Sequence, residues 1–204
     1  LSLKVSRKYL KMAEINLYFP TAIYTETNLF SEEENIQWID RILELQDTVP
    51  SGGEGWEGRT YTTHSKYDLI QDPLFSPLIE KVQLHVNEFT SAHGSNLLHT
   101  CNGAWANINI PNTYQEYHVH PSSVFSCVYY PKVPEGSGSI VFENPTLPDM
   151  MPVLNIKERN DLSFERVAYT PEAGTLLIFR SFIRHCVREG TNTEPRISIA
   201  LNFG

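Results

Sequence analysis

"GTLLIFRSFIRHCVREGTNTEPRISIALNF", residues 174–203, carries the pattern that decides the fold. A glycine leads into an unbroken apolar run, Leu176 to Phe179, which reads as a fully buried strand. A turn follows, then a short apolar run that includes His185. The stretch ends in strict alternation. Arg196, Ser198, Ala200 and Asn202 fall on one face of an extended chain, and Ile197, Ile199, Leu201 and Phe203 on the other. The second face is core. The first sets an arginine on what would be the inward face of a small barrel, where a charge needs a paired anion. No acidic residue shares that strand. A carboxylate ligand, gripped by the planar guanidinium fork, would supply the anion. An arginine on a solvent face is the alternative.

The same texture extends upstream. "AWANINI" (104–110), "SVFSCVYY" (123–130), "GSIVFE" (138–143) and "FERVAYTP" (164–171) are short runs rich in Val, Ile, Phe and Tyr, punctuated by Gly, Pro, Asn and Ser. Six or more such runs, with no helical period between them, indicate a sandwich or barrel. The first half differs. "SEEENIQWIDRILELQ" (31–46) opens with a capping box, Ser31 to Glu34, and carries Ile36, Ile39, Ile42 and Leu43 as an apolar helical face. A second helix is expected from Asp72-Pro73 to about Gly94, with Leu78, Ile79, Val82, Val86 and Phe89 inward. Helices first and strands later give a mainly β, α+β chain whose N-terminal helices buttress a sheet.

The chain's 204 residues suit one domain with a real core. Residues 1–11, basic in an otherwise acidic chain, read as an extension or remnant. Residues 12–204 read as a single domain, with helical support over 31–94 and the barrel over 97–204. The formal charge of −8 argues against a nucleic-acid footprint, and no run is long and apolar enough for a membrane helix. Three scattered cysteines, Cys101, Cys127 and Cys186, without CxxC spacing, suggest reduced thiols and a cytoplasmic setting.

"YHVHPSSVFSCVYY" (117–130) places His118 and His120 two apart. On a strand both point to one face, within reach of a single metal ion. HxH alone is a weak signal, since two wet histidines explain it equally well. A third ligand must come from elsewhere, and His185 is the candidate. Glu116 shares the parity of the pair. Ser126 and Tyr130 share a face of the following run, and Asn107 and Asn109 a face of "AWANINI". These are candidates for buried polar contacts. His64, His85, His93 and His99 belong to no constellation and read as surface or structural residues.

Taken together, the HxH, the glycine-led buried strand, the distal histidine and the Arg-x-Ser eleven residues later resemble the Fe(II)- and 2-oxoglutarate-dependent oxygenases. "HVHPSSVFSCVYYPKVPEGSGSIVFENP" and "FRSFIRHCVREGTNTEPRISIALNF" are similar to a group of small oxygenases in which HxHP, a serine-containing Tyr-rich strand and an R-x-S strand recur. The resemblance covers roughly Leu17 to the C-terminus. It implies a double-stranded β-helix, or jelly roll, with the metal at its mouth. His118 and His185 take the places of the family's two histidines. Arg196 and Ser198 take those of the pair that holds 2-oxoglutarate, with Asn107, Ser126 and Tyr130 as further cosubstrate contacts. Fe(II), 2-oxoglutarate and O2 are the implied cofactors.

The usual triad has a carboxylate where His120 stands. Either His120 ligates, or Glu116 or Glu143 completes the site, or the site is degenerate. Strand parity favours His120, and its bulk disfavours halogenation. A cupin-type metalloenzyme that uses no 2-oxoglutarate, and a non-catalytic jelly-roll binding domain, remain as alternatives. The expected partner is a small-molecule or peptide substrate, and homodimer pairing is compatible with the fold class. The Gly-rich segment around Trp56 and the Pro-rich loop 145–162 are candidate lids.

Overall fold

The computed structural model describes residues 19–146 and 155–204. Ten strands and two helices follow one another as β1 (Ile23–Glu26), α1 (Glu32–Thr48), β2 (Tyr61–Thr62), α2 (Ser76–Ala92), β3 (Cys101–Asn109), β4 (Gln115–His118), β5 (Phe125–Lys132), β6 (Ile140–Glu143), β7 (Arg166–Tyr169), β8 (Leu176–Arg180), β9 (His185–Val187) and β10 (Arg196–Phe203). They form a six-stranded sheet in the order β1-β8-β5-β10-β3-β2 and a four-stranded sheet in the order β4-β9-β6-β7. All pairings between these strands are antiparallel. The strand pattern implied a sandwich or barrel and the family resemblance a jelly roll; the layout is that of a jelly roll, as two facing sheets rather than a closed barrel. The candidate lid at 145–162 lies in part outside the described residues, as does the whole of 1–11.

The larger sheet is buried on both faces, which explains its near-continuous apolar runs. Cys127, Tyr129, Leu176, Ile178, Ile197, Ile199 and Leu201 pack with the helices. Val128, Tyr130, Leu177 and Phe179 face the smaller sheet, meeting Ile140 and Phe142. Strand β10 lies between β5 and β3 with Ser198 opposite Asn107, Arg196 opposite Asn109 and Asn202 opposite Ser126. Register therefore gathers polar residues from three neighbouring strands onto the face that looks at the second sheet.

Helix α1 starts as its sequence demands: the Ser31 hydroxyl accepts from the Glu34 backbone N–H, and the Glu34 carboxylate accepts from that of Ser31. Its buried stripe matches the expected one in part: Ile42 is buried and Ile39 and Leu43 pack half-buried against the core, but the stripe is rotated. Asn35, Trp38, Ile42 and Leu45 face inward, whereas Ile36 is half exposed. The reason is Trp38. Its indole packs edge-on to Phe30 and Tyr129 and donates to the Leu74 carbonyl, while the Tyr129 hydroxyl donates to Asn35. These aromatic and polar contacts outweigh the few aliphatic groups that Ile36 could bury. Helix α2 buries Leu78, Val82, Val86 and Phe89 and is preceded by a short 3-10 turn at Pro73–Phe75. No described helix is long and apolar enough to cross a membrane. The three cysteines are free thiols, with Cys127 and Cys186 buried.

Candidate metal and cosubstrate site

His118 ends β4, and His185 sits directly opposite it at the start of β9. His120 lies two residues past the strand, so strand parity is not what aims it. Its backbone N–H donates to the Ser181 carbonyl, and its ring stacks between those of Trp105 and His185. One ring nitrogen from each of His118, His120 and His185 lies within 4.8 Å of the other two. Among the described residues this is the one cluster of three or more His, Cys, Asp or Glu side chains that close.

Hydrogen bonds select which nitrogens are free. His118 Nδ1 is 2.7 Å from the Glu116 carbonyl, and His185 Nδ1 is 2.9 Å from that of Ile183. A carbonyl only accepts, so both Nδ1 atoms carry the proton and both Nε2 atoms present lone pairs. Burial pushes all three imidazoles down from their ordinary range. His120 falls to about 4 and His185 to about 3, with the neighbouring His118 adding to both shifts. The rings are therefore neutral at physiological pH, as metal ligands must be.

The two carboxylates that could have joined them are engaged elsewhere. Glu116 accepts the backbone N–H groups of Glu57 and Gly58 through Oε1, and its Oε2, buried without a partner, does not join the histidine cluster. Glu143 is paired with Arg184 at 2.7 Å and Arg166 at 3.1 Å.

Behind the histidines, between the sheets, runs a narrow cavity of about 40 Å³. Asn107, Ser126, Tyr130, Arg196 and Ser198, all singled out in the sequence, line it. Arg196 is 1% exposed and pairs with no acidic side chain among the described residues. Its Nη1 donates to Asn109 at 3.3 Å, its guanidinium lies over the Tyr130 ring, and its Nε has no partner. The Tyr130 hydroxyl lies beside the guanidinium but makes no well-formed hydrogen bond. A buried cation beside such a hydroxyl is expensive, and burial duly pulls the arginine's affinity for its proton down. A carboxylate in this cavity would satisfy both groups. The donor set thus fits a divalent transition metal held by imidazoles, with a carboxylate-bearing ligand behind it.

On the outer side of the histidines a cleft of about 350 Å³ opens, lined by Trp56, Thr62, His64, Trp105, Tyr114 and residues 118–123, among others. Trp56 packs edge-on to His118, with ring centroids 5.0 Å apart. His64, which looked unattached in sequence, lies edge-on to Trp105 on this wall. Sequence reasoning missed it because only the tertiary fold brings the 51–64 loop over the metal side. Its place directly after the Gly-rich loop was the available hint. His85, His93 and His99 stay away from the cluster, next to Tyr24, Phe89 and Phe125 respectively.

These features define a jelly-roll protein with a metal-fitting face of three histidines and an anion-seeking pocket behind it. Comparison of families then narrows the class. Residues 103–202 match the family described as "Putative 2OG-Fe(II) oxygenase". No curated protein sequence matches the chain. Among solved structures, HygX from Streptomyces hygroscopicus, crystallised with nickel and 2-oxoglutarate, is 13% identical with a TM-score of 0.65, covering 90% of this chain and 83% of that one. The viral collagen prolyl hydroxylase of Paramecium Bursaria Chlorella virus-1, in complex with 2-oxoglutarate, is 14% identical with a TM-score of 0.56, covering 89% and 94%. The epimerase SnoN from nogalamycin biosynthesis is 12% identical with a TM-score of 0.63, covering 90% and 78%. At these identities the likeness is one of fold.

Proposed function

We propose that the protein is an Fe(II)- and 2-oxoglutarate-dependent dioxygenase, a hydroxylase of an uncharged substrate group, with His118, His120 and His185 as the metal ligands. The observation that carries the reading is Arg196, a fully buried guanidinium with an unpartnered Nε and no carboxylate, on the far wall of the cavity behind three neutral imidazoles. Ferrous iron and 2-oxoglutarate supply the oxidising chemistry, in which the cosubstrate is decarboxylated to succinate and CO2 and one oxygen atom goes to the substrate. The chain's own part is to bind, orient and exclude water.

Arg196 and Ser198 would grip the distal carboxylate of the cosubstrate, and the Tyr130 hydroxyl would donate to it. Asn107 and Ser126 line the same cavity and would contact the cosubstrate there. His118, His120 and His185 would hold the metal. The primary substrate enters through the outer cleft, which among the described residues is lined by no Asp, Glu, Lys or Arg. A charged reacting group would lose its hydration there without compensation. Trp56 and Trp105 offer flat faces for apolar C–H groups instead.

Anaerobic addition of Fe(II) and then 2-oxoglutarate tests the reading. Wild type should develop the weak visible charge-transfer band of the chelated keto acid. His118→Ala should lose it, and Arg196→Lys should need far more cosubstrate. Iron binding without a band would favour a metalloenzyme that uses no 2-oxoglutarate. Absence of iron binding would sink the assignment.

A further inference from the structure

A histidine that ligates through Nε2 must carry its proton on Nδ1. For His118 and His185 a backbone carbonyl settles this. His120 is different. Its Nδ1 lies 3.1 Å from the side-chain amide nitrogen of Asn202, and an amide can turn either a donor or an acceptor toward a neighbour. The amide oxygen of Asn202 is 3.0 Å from the Ser126 hydroxyl, which is 2.9 Å from that of Ser181. Ser126 and Ser181 are buried, while Asn202 and His120 are half-buried and line the outer cleft.

Hydroxyls both donate and accept. The row His120–Asn202–Ser126–Ser181 can therefore be satisfied in either direction. With the amide nitrogen toward His120, as in the structure, Nδ1 accepts and the ring proton sits on Nε2. That tautomer has no Nε2 lone pair to give. With the amide turned over, its oxygen accepts the Nδ1 proton, its nitrogen donates to Ser126, and Ser126 donates to Ser181. Nε2 is then free. The two settings exchange one set of hydrogen bonds for an equivalent set, so a modest bias selects between them.

We propose that Asn202 is a positioning residue that sets the tautomer of His120, and that its amide turns over when the metal site is loaded. The proposal rests on the three-histidine reading above. It distinguishes the position that replaces the usual carboxylate from its two partners: those are locked as ligands by the backbone, whereas His120 is switched by a side chain.

Zinc(II), a diamagnetic probe, tests this with protein labelled with 15N at histidine. In metal-free wild type the His120 resonances should report a proton on Nε2, and in zinc-loaded wild type a proton on Nδ1 with Nε2 bound. Asn202→Asp, which can only accept, should bind zinc at least as tightly as wild type. Asn202→Leu should bind it roughly 10- to 100-fold more weakly, the usual cost of losing such a partner. His118→Ala is the control. If wild type takes up no zinc, or His118→Ala binds it as well as wild type, the three-histidine reading fails and this inference with it. If zinc binding needs His118 but the His120 tautomer does not change on loading, or folded Asn202→Leu binds within twofold of wild type, the inference alone is overturned. Should Asn202→Leu not fold, the wild-type resonances decide.

Discussion

Arg196 shows how much a single residue can disclose. Its charge on an alternating strand was visible in sequence, and the missing acidic partner was visible too. Only the structure shows that the guanidinium is completely enclosed, over the Tyr130 ring. A buried cation without its anion stabilises nothing, and replacing such groups by apolar ones of similar size is often neutral or favourable. Arg196→Met should therefore melt at or above the wild-type temperature when no cosubstrate is present. Wild type should gain stability on adding 2-oxoglutarate, and Arg196→Met should not. Thermal melts with and without 2-oxoglutarate measure both. A strongly destabilised variant in the absence of ligand would mean that the arginine is a structural support.

The histidines make a second residue-scale prediction. Their pKa values in the folded protein lie below the ordinary 6.5, to about 4 for His120 and about 3 for His185. The unfolded chain therefore takes up protons first as pH falls. Stability of the metal-free protein is complete above about pH 6.5 and is lost toward pH 4, at roughly 1.4 kcal/mol per pH unit for each histidine. Urea midpoints at pH 7.5 and 5 should show this loss, and His185→Gln should lose less over the same interval. An equal loss in that variant would place the acid sensitivity elsewhere.

Among the elements, α1 and the 51–64 loop set the limits of sequence reading. The capping box fixed where α1 starts. Ile39, Ile42 and Leu43 do face the core, but Ile36 does not, because an aliphatic count gives it as much weight as any neighbour while a large indole with a hydrogen-bonding partner decides the rotation. Trp38→Ala should cost about 3–5 kcal/mol in chemical denaturation. Ile36→Ala should stay within about 0.5 kcal/mol, as exposed sites do. The reverse order would refute this packing.

The 51–64 loop carries Trp56 to His118, and glycines pin it there. A Cβ on Gly58 would lie 1.9 Å from the Tyr114 carbonyl oxygen, and one on Gly52 would lie 1.6 Å from that of His64. The Gly58 amide also donates to Glu116. Gly58→Ala should push the loop off the cleft and raise the fluorescence accessibility of Trp56 to a neutral quencher such as acrylamide. An unchanged quenching profile would show that the loop absorbs the clash without moving.

For the molecule as a whole, the strand texture made the two-sheet architecture legible, because each strand was short, apolar and bounded by turn residues. The pairing order was not legible. Antiparallel strands far apart in sequence, such as β3 with β10, find each other through side-chain complementarity across the sheet, which no local pattern encodes. That is why Arg196, Ser198, Asn107 and Ser126 could be shortlisted from the sequence but not seen to share one wall. The Asn202–Ser126–Ser181 row was likewise beyond reach, since it depends on which strands lie side by side, and His64 was hinted at only by its place after the Gly-rich loop.

The absence of a carboxylate among the three rings has an electrical consequence. Neutral imidazoles cancel none of a dication's charge, and Arg196 adds one more positive unit a short way behind. A site built this way draws in dianions with little regard to which one arrives. Succinate, the product that decarboxylation leaves, is itself a dianion and has lost only the keto-acid grip. Its departure must then work against the same field that brought the cosubstrate in.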